Sequence, residues 1–345
     1  MAWTLADLTT LRVGGPAREV LVAESETELL TAVRDADATG APALLVAGGS
    51  NLVVADDGVD ASVVLVRTRG VGVEADTCGG AWLTVAAGEP WDDVVARAVA
   101  EEWAGIEALS GIPGSAGATP LQNVGAYGQE VADVIARVRT FDRAERAVRT
   151  FMAADCGFGY RTSRFKAHPG RYVVLDVTLA LRMSPTSAPI RYAELARSLG
   201  VDVGARAPLA ELREAVLALR RAKGMVLDDA DHDTWSVGSF FTNPVLGAAQ
   251  ARALPADAPR YPASDGRVKT SAAWLIERSG VGRGHTLGTP ASVSTKHTLA
   301  LTNRGGASAA DVLALAADVR DRVRDTFGIE LEPEPTLVGC GLPTS

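Results

Sequence analysis

An α+β fold in three lobes is predicted, and three observations predict it. The chain has 345 residues, more than one ordinary domain at roughly 150 residues each. Its first third alternates strand and helix patterns, its middle carries three strand-like runs suited to antiparallel pairing, and its end is a long capped helix. A composition of 47% hydrophobic and 22% charged residues can fill a sizeable core and fits neither a disordered nor a coiled-coil chain.

Taken in order, residues 18–23 read as a strand. Ser25 and Glu28 then form a capping-box pattern ahead of Leu29, Leu30 and Val33, which share one helical face. Residues 43–47 and 62–67 are apolar, β-branched runs separated by Gly and Asp, as buried strands are. Residues 69–72 read as a short connection, 82–87 as a strand, and Pro90 as the opening of a helix carrying Trp91, Val94, Val95, Ala98 and Val99. Strands are expected over 134–141, 147–151 and 172–181. Pro208 starts a helix running to Lys223, a shorter helix surrounds Trp274, and Ser308 with Asp311 caps a last helix that stops at Gly328.

With 34 basic against 42 acidic side chains the net charge is −8, which argues against nucleic acid and against a polybasic membrane anchor. An anionic ligand must then be met by local donors. Cys78, Cys156 and Cys340 are odd in number and lack CxxC spacing, so neither a disulfide framework nor a zinc site is suggested, and a reducing cytoplasm is the expected home. No basic-then-apolar leader opens the chain and no apolar run is long enough to span a bilayer. His168, His232, His285 and His297 have no metal-ligand spacing, and no metal is expected. Lysine is confined to Lys166, Lys223, Lys269 and Lys296, so each is worth attention where a compact ammonium is needed.

Five segments carry the candidate chemistry. Residues 111–128 hold five glycines, Gly111, Gly114, Gly117, Gly125 and Gly128, and no charged side chain. Such a run is either a buried packing crossover or a cradle of backbone N–H groups for a diphosphate. The turn Gly48-Gly49-Ser50-Asn51 follows a strand, which is the logic of a phosphate loop and also of an ordinary turn; it is neither GxGxxG nor a Walker loop. Between Cys156 and Lys166, Tyr160 and Arg161 set a ring beside a guanidinium able to grip a carboxylate in a fork, or else form a solvated turn. Ser239 lies between Gly238 and the rings of Phe240 and Phe241, outside any GxSxG elbow. Glu330, Glu332 and Glu334 crowd one short stretch whose ordinary reading is a solvated edge.

The order of these motifs over nearly the whole chain resembles the UDP-N-acetylenolpyruvoylglucosamine reductase family. The resemblance is carried by 10–15, by Gly48-Gly49-Ser50-Asn51, and by Gly111-Ile112-Pro113-Gly114 through Gln122-Asn123-Val124-Gly125-Ala126-Tyr127. It continues in Tyr160-Arg161-x-Ser163-x-Phe165-Lys166, Gly238-Ser239-Phe240-Phe241-x-Asn243-Pro244, 272–277 and the tail to Glu334. It implies a two-lobed FAD-binding unit over 1–70 and 71–222, with the tail 330–345 returning to the second lobe, and a substrate-binding lobe over 223–329. FAD would be held, without a covalent bond, by Gly48, Gly49, Ser50, Asn51, Leu52, Gly111, Ile112, Pro113, Gly114, Gly117, Gln122, Gly125 and Tyr127. NADPH would be the co-substrate and a nucleotide sugar the substrate. Tyr192, Lys223 and Asn243 would take the nucleotide diphosphate, with Tyr160 shaping the pocket; Tyr192 and Lys223 place the chain in the longer, enterobacterial-like subtype. Arg161 and Glu334 would polarise the enolpyruvyl carboxylate and Ser239 would deliver a proton. A monomer is expected.

Thr242 departs from the lysine frequent in the serine motif, and Thr119 from a smaller apolar residue. Two other readings compete: an FAD oxidase of the same flavin fold that is reoxidised by oxygen, and a non-catalytic nucleotide-sugar sensor.

Overall fold

The computed structural model describes residues 3–76, 80–263 and 266–343; Cys78 lies outside them. Contacts divide the chain into two compact units, Arg18–Gly48 with Asp60–Val226, and Met1–Ala17 with Gly49–Val59 and Leu227–Ser345. The units do not follow chain order, because the 1–70 span is shared between both.

In the larger unit, strands Ala17–Ala23, Val59–Val66 and Ala43–Val46 form one sheet, the last two pairing in parallel with Val46 opposite Leu65. The helix Glu26–Thr39 links the strands Ala17–Ala23 and Ala43–Val46; it starts on Ser25, whose Oγ accepts from the Glu28 N–H while the Glu28 carboxylate accepts from the Ser25 N–H. A second sheet orders Ala147–Met152, Ile135–Asp142, Tyr172–Met183, Gly80–Ala86 and Val71–Asp76, each antiparallel to its neighbour. Leu83, Val85, Val138, Phe141, Val177 and Leu179 of these strands are buried with Trp91 and Val95 of the helix Trp91–Ala100. The strand Val71–Asp76 overlaps the connection expected over 69–72. It is an edge strand whose residues alternate between half-buried and exposed before ending in Glu74, Ala75 and Asp76, so it lacks the apolar run that marked the others.

A smaller cluster in the same unit packs the helices Ala193–Leu199 and Leu209–Ala222 through Leu195, Ala196, Leu212 and Val216. Pro208 precedes the second of these, as expected, and Lys223 is its C-cap.

The smaller unit is built on the helix Ala309–Phe327, opened by the Ser308–Asp311 capping box and closed by Gly328 at φ 66°. Its Val312, Leu315, Ala316 and Val319 are buried in one cluster with Phe240, Phe241, Leu275 and Val293. Strands Ser236–Ser239, Ala300–Asn303 and Ala291–Val293 make an antiparallel sheet. Thr336–Val338 pairs in parallel with Leu52–Val54, and Cys340 and Leu342 pack on the core of this smaller unit. Among the described residues, no helix is long and apolar enough to cross a membrane.

Candidate functional site

Within the larger unit, the two glycine segments singled out in the sequence meet. A Cβ built on Gly48 would stand 2.5 Å from the Gly114 Cα and within 3.3 Å of its C and N atoms, so the two backbones touch with no room for a side chain. Gly111 holds φ 70°, and its N–H donates to Asp92 Oδ1 at 2.6 Å. The Gly114 carbonyl accepts from the Trp91 N–H at 3.0 Å, which ties this loop to the start of the helix Trp91–Ala100. Gly117 has a different task. Its N–H donates to the Ala87 carbonyl, and an added Cβ would meet the Ala87 Cβ at 2.5 Å, so it serves close packing against the end of a strand. Ile112 packs on the main core.

Asp92 anchors this loop from outside. Arg213 donates two hydrogen bonds to its carboxylate, at 2.7 and 2.9 Å. Burial alone would raise the Asp92 carboxyl, but the hydrogen bonds from Arg213 and the Gly111 N–H, with the charges of Arg213 and Arg220, outweigh it and hold it below the usual carboxylate range. Arg220 is enclosed, donates to the Met225 carbonyl at 2.7 Å, and is lowered by that burial to about 10, still cationic at neutral pH.

Ser115, inside the same loop, was absent from the residues proposed on sequence. It is buried, and among the described residues its Oγ has no hydrogen-bond partner. A hydroxyl so placed is costly unless something accepts from or donates to it. An orphaned hydroxyl beside side-chain-free backbone suits a diphosphate, so the residues present fit the cofactor the motifs implied. The serine stands in plain view in the motif; only its lack of a protein partner marks it out.

Asn123 and Tyr127, further along the same loop, and Arg161 all hold positive φ, at 47°, 49° and 52°. Arg161 Nη1 donates to the Asn123 carbonyl at 3.4 Å and Nη2 to the Gly125 carbonyl at 3.0 Å. The ring of Tyr160 lies 5.9 Å from the Arg161 guanidinium carbon. Tyr127 stacks edge-on against Tyr192, with ring centroids 5.4 Å apart, and burial above all pushes its phenol up to about 12. Lys223 Nζ donates to Glu194 Oε2 at 2.6 Å and lies 5.7 Å from the Tyr127 ring centre. The fold thus gathers Tyr127, Tyr192 and Lys223, which sequence separates widely, and adds Glu194 to them.

The smaller unit gathers the remaining candidates. Ser239 ends its strand opposite Ala300. The next residue, Phe240, accepts from the Glu334 N–H at 2.8 Å, and Thr242 donates its N–H to the Glu332 carbonyl at 3.0 Å. The tail backbone therefore runs alongside the serine segment, with Glu330 and Glu332 exposed and Glu334 half-buried. Asn51 joins it: Asn51 Nδ2 donates to the Glu334 carbonyl at 3.4 Å, and the Asn51 carbonyl accepts from the Thr336 N–H at 3.0 Å. Asn243 Oδ1 accepts from the Ala272 N–H at 2.9 Å, at the start of the helix Ala272–Arg278. Gly49 holds φ 60°, and a Cβ there would also meet the Leu8 carbonyl, so backbone and space both call for glycine. Ser50, Leu52, Pro113 and Gln122 lie on these same segments, half-buried. Among the described residues no His, Cys, Asp and Glu group is arranged to hold a metal ion.

Comparison with known proteins agrees with this geometry. Residues 17–150 match the FAD binding domain family, and residues 229–338 match the family described as UDP-N-acetylenolpyruvoylglucosamine reductase, C-terminal domain. The UDP-N-acetylenolpyruvoylglucosamine reductase of Cutibacterium acnes is 58% identical over 97% of this chain and 89% of its own length. That of Streptomyces avermitilis is 55% identical over 98% and 94%. The crystal structure of the Thermus caldophilus enzyme superimposes with a TM-score of 0.66 at 28% identity, covering 98% of both chains. Fold and site together define an FAD-binding oxidoreductase. The chain belongs to the UDP-N-acetylenolpyruvoylglucosamine reductase family.

Proposed function

We propose that this protein reduces UDP-N-acetylglucosamine enolpyruvate to UDP-N-acetylmuramate with NADPH, a step of peptidoglycan precursor synthesis. FAD, held by the Gly48 turn and the 111–127 loop, would supply the hydride chemistry that links NADPH to the β-carbon of the enolpyruvyl group. Hydride addition there leaves carbanion character at the α-carbon, beside the carboxylate. Arg161 grips the carboxylate in a fork, and Glu334, acting in its protonated form as a hydrogen-bond donor, helps spread the charge. Ser239 Oγ–H gives its proton to the α-carbon. An alcohol is a weak acid in water, yet it serves here because the acceptor is a strongly basic enolate in a site whose dipoles are already oriented. The arrangement that most supports these roles is the Glu334 N–H on the Phe240 carbonyl, which sets the tail acid one residue from Ser239 along the paired chain.

Lys223, Tyr192 and Asn243 would bind the nucleotide diphosphate, Tyr160 would line the pocket, and the Gly48 turn with the 111–127 loop would hold FAD through backbone N–H groups and Ser115. In this reading the two sheets of the larger unit serve the flavin and residues 223–329 the nucleotide. The protein acts as a monomer in the cytoplasm, without nucleic acid. The test is visible absorption of the isolated protein before and after anaerobic NADPH, then after the enolpyruvyl nucleotide. Bleaching followed by recovery is expected. A protein that shows no flavin absorbance after incubation with excess FAD overturns the reading. Recovery driven by oxygen and indifferent to the nucleotide supports the oxidase instead.

A further inference from the structure

We infer that Asn123 and Lys166 are positioning residues that set the guanidinium of Arg161, an inference that rests on the carboxylate-holding role proposed for Arg161. Of the six described non-glycine residues at positive φ, Asn123, Tyr127 and Arg161 fall in two loops that touch. Left-handed backbone is disfavoured for side chains other than Asn and Asp, and where it persists the surroundings must enforce it. Here the enforcing contacts can be named.

Asn123 is almost wholly enclosed, with 1% of its surface exposed. Its side chain joins three pieces of chain: Nδ2 donates to Glu130 Oε2 at 2.7 Å and to the Gly159 carbonyl at 3.1 Å, and Oδ1 accepts from the Ala132 N–H at 3.1 Å. Asparagine suits both demands, since it tolerates positive φ and supplies a donor and an acceptor at one tip. The outcome is that the Asn123 and Gly125 carbonyls both face Arg161 and receive Nη1 and Nη2. On the other side, Lys166 Nζ donates to the Arg161 carbonyl at 3.1 Å, from a short helix whose N-cap Ser163 donates its Oγ–H to the Leu121 carbonyl at 2.5 Å. Arg161 is therefore held at both ends, its main chain by Lys166 and its guanidinium by carbonyls that Asn123 orients. Neither Asn123 nor Lys166 need touch substrate for this to matter, because a small misplacement of a charge-stabilising group can cost about 100-fold in rate.

The test compares N123G, K166M, K166R and R161A as FAD-loaded enzymes. Glycine keeps the positive φ and removes only the side-chain knot; Lys166 is exposed, so K166M should fold even if N123G does not. Three quantities are read: flavin reduction by NADPH, flavin reoxidation by the enolpyruvyl nucleotide, and the ratio of equilibrium affinities for UDP-N-acetylmuramate and UDP-N-acetylglucosamine, of which only the first carries the carboxylate. The expected result is unchanged reduction and unchanged UDP-N-acetylglucosamine binding. Reoxidation falls about 100-fold in N123G and less in K166M, the affinity ratio moves toward that of R161A, and K166R restores both. Parental reoxidation and affinity ratio in N123G and K166M, beside an R161A that loses both, overturn this inference alone. An R161A that keeps both overturns the role of Arg161 itself.

Discussion

Gly48 and Gly114 touch through their backbones, so closely that a Cβ on Gly48 would stand 2.5 Å from the Gly114 Cα. One belongs to a turn after the strand Ala43–Val46, the other to an uncharged loop, and their contact is what makes two separate glycine segments into one candidate cofactor cradle.

A methyl group at Gly48 must push backbone rather than a flexible side chain. Gly48→Ala is expected to destabilise the protein by about 1–3 kcal/mol and to weaken FAD binding. Gly282→Ala, at a position with nothing within 4 Å of the added Cβ, should leave both unchanged. Thermal unfolding with and without added FAD reads the two effects; equal behaviour of the two variants would mean that the contact is not tight.

Ser115→Ala separates the folded chain's interest from the cofactor's. The hydroxyl has no described protein partner, so its removal should leave the FAD-free protein as stable as before or more so, because an unsatisfied buried hydroxyl costs about 1–3 kcal/mol. FAD affinity should fall about tenfold, the loss of one hydrogen bond to a charged group. A flavin titration followed by fluorescence checks this, and an unchanged affinity would remove Ser115 from the cradle.

For Ser239→Ala the two half-reactions should part company. Flavin reduction by NADPH should keep its parental rate, whereas reoxidation by the enolpyruvyl nucleotide should slow by about 100- to 1,000-fold, the usual loss of a donor aimed at developing charge. Stopped-flow absorbance resolves the two phases. Equal loss in both phases would take the proton-donor role away from Ser239.

Asp92 links stability to pH. Its carboxyl is held below the ordinary range by Arg213 and the Gly111 N–H, so the folded state favours the ionised form. The resulting stabilisation is present above the unfolded carboxyl's value of about 3.9 and is lost as pH falls through the lower folded value. Asp92→Asn should therefore melt at a lower temperature than the parent near neutrality, with the gap closing at acid pH. A gap that widens on acidification would contradict this sign.

Elements set by neighbours in sequence were legible in advance. The Ser25–Glu28 and Ser308–Asp311 capping boxes, Pro90 and Pro208 ahead of their helices, and Gly328 at a helix end all stand in the structure as read. The strand Val71–Asp76 and the helix Ala193–Leu199 were not legible. The first is an edge with few apolar residues, and the second is a short element whose burial comes from packing on Leu212 and Val216.

What the amino-acid order determined by itself is therefore the α+β class, the positions of the longer helices and strands, and the kinds of residue available for holding a flavin, a carboxylate and a diphosphate. These follow from interactions a few residues apart and from motifs that a chain carries whether folded or not. Only tertiary structure decided that Gly48 lies on Gly114, that Glu194 pairs with Lys223 beside Tyr127, that the tail strand seeks Leu52–Val54, and that Asn123 turns two carbonyls toward Arg161. Each of those depends on contacts between distant segments, whose geometry comes from the packing of whole sheets and helices and leaves no local trace in the residues that make it.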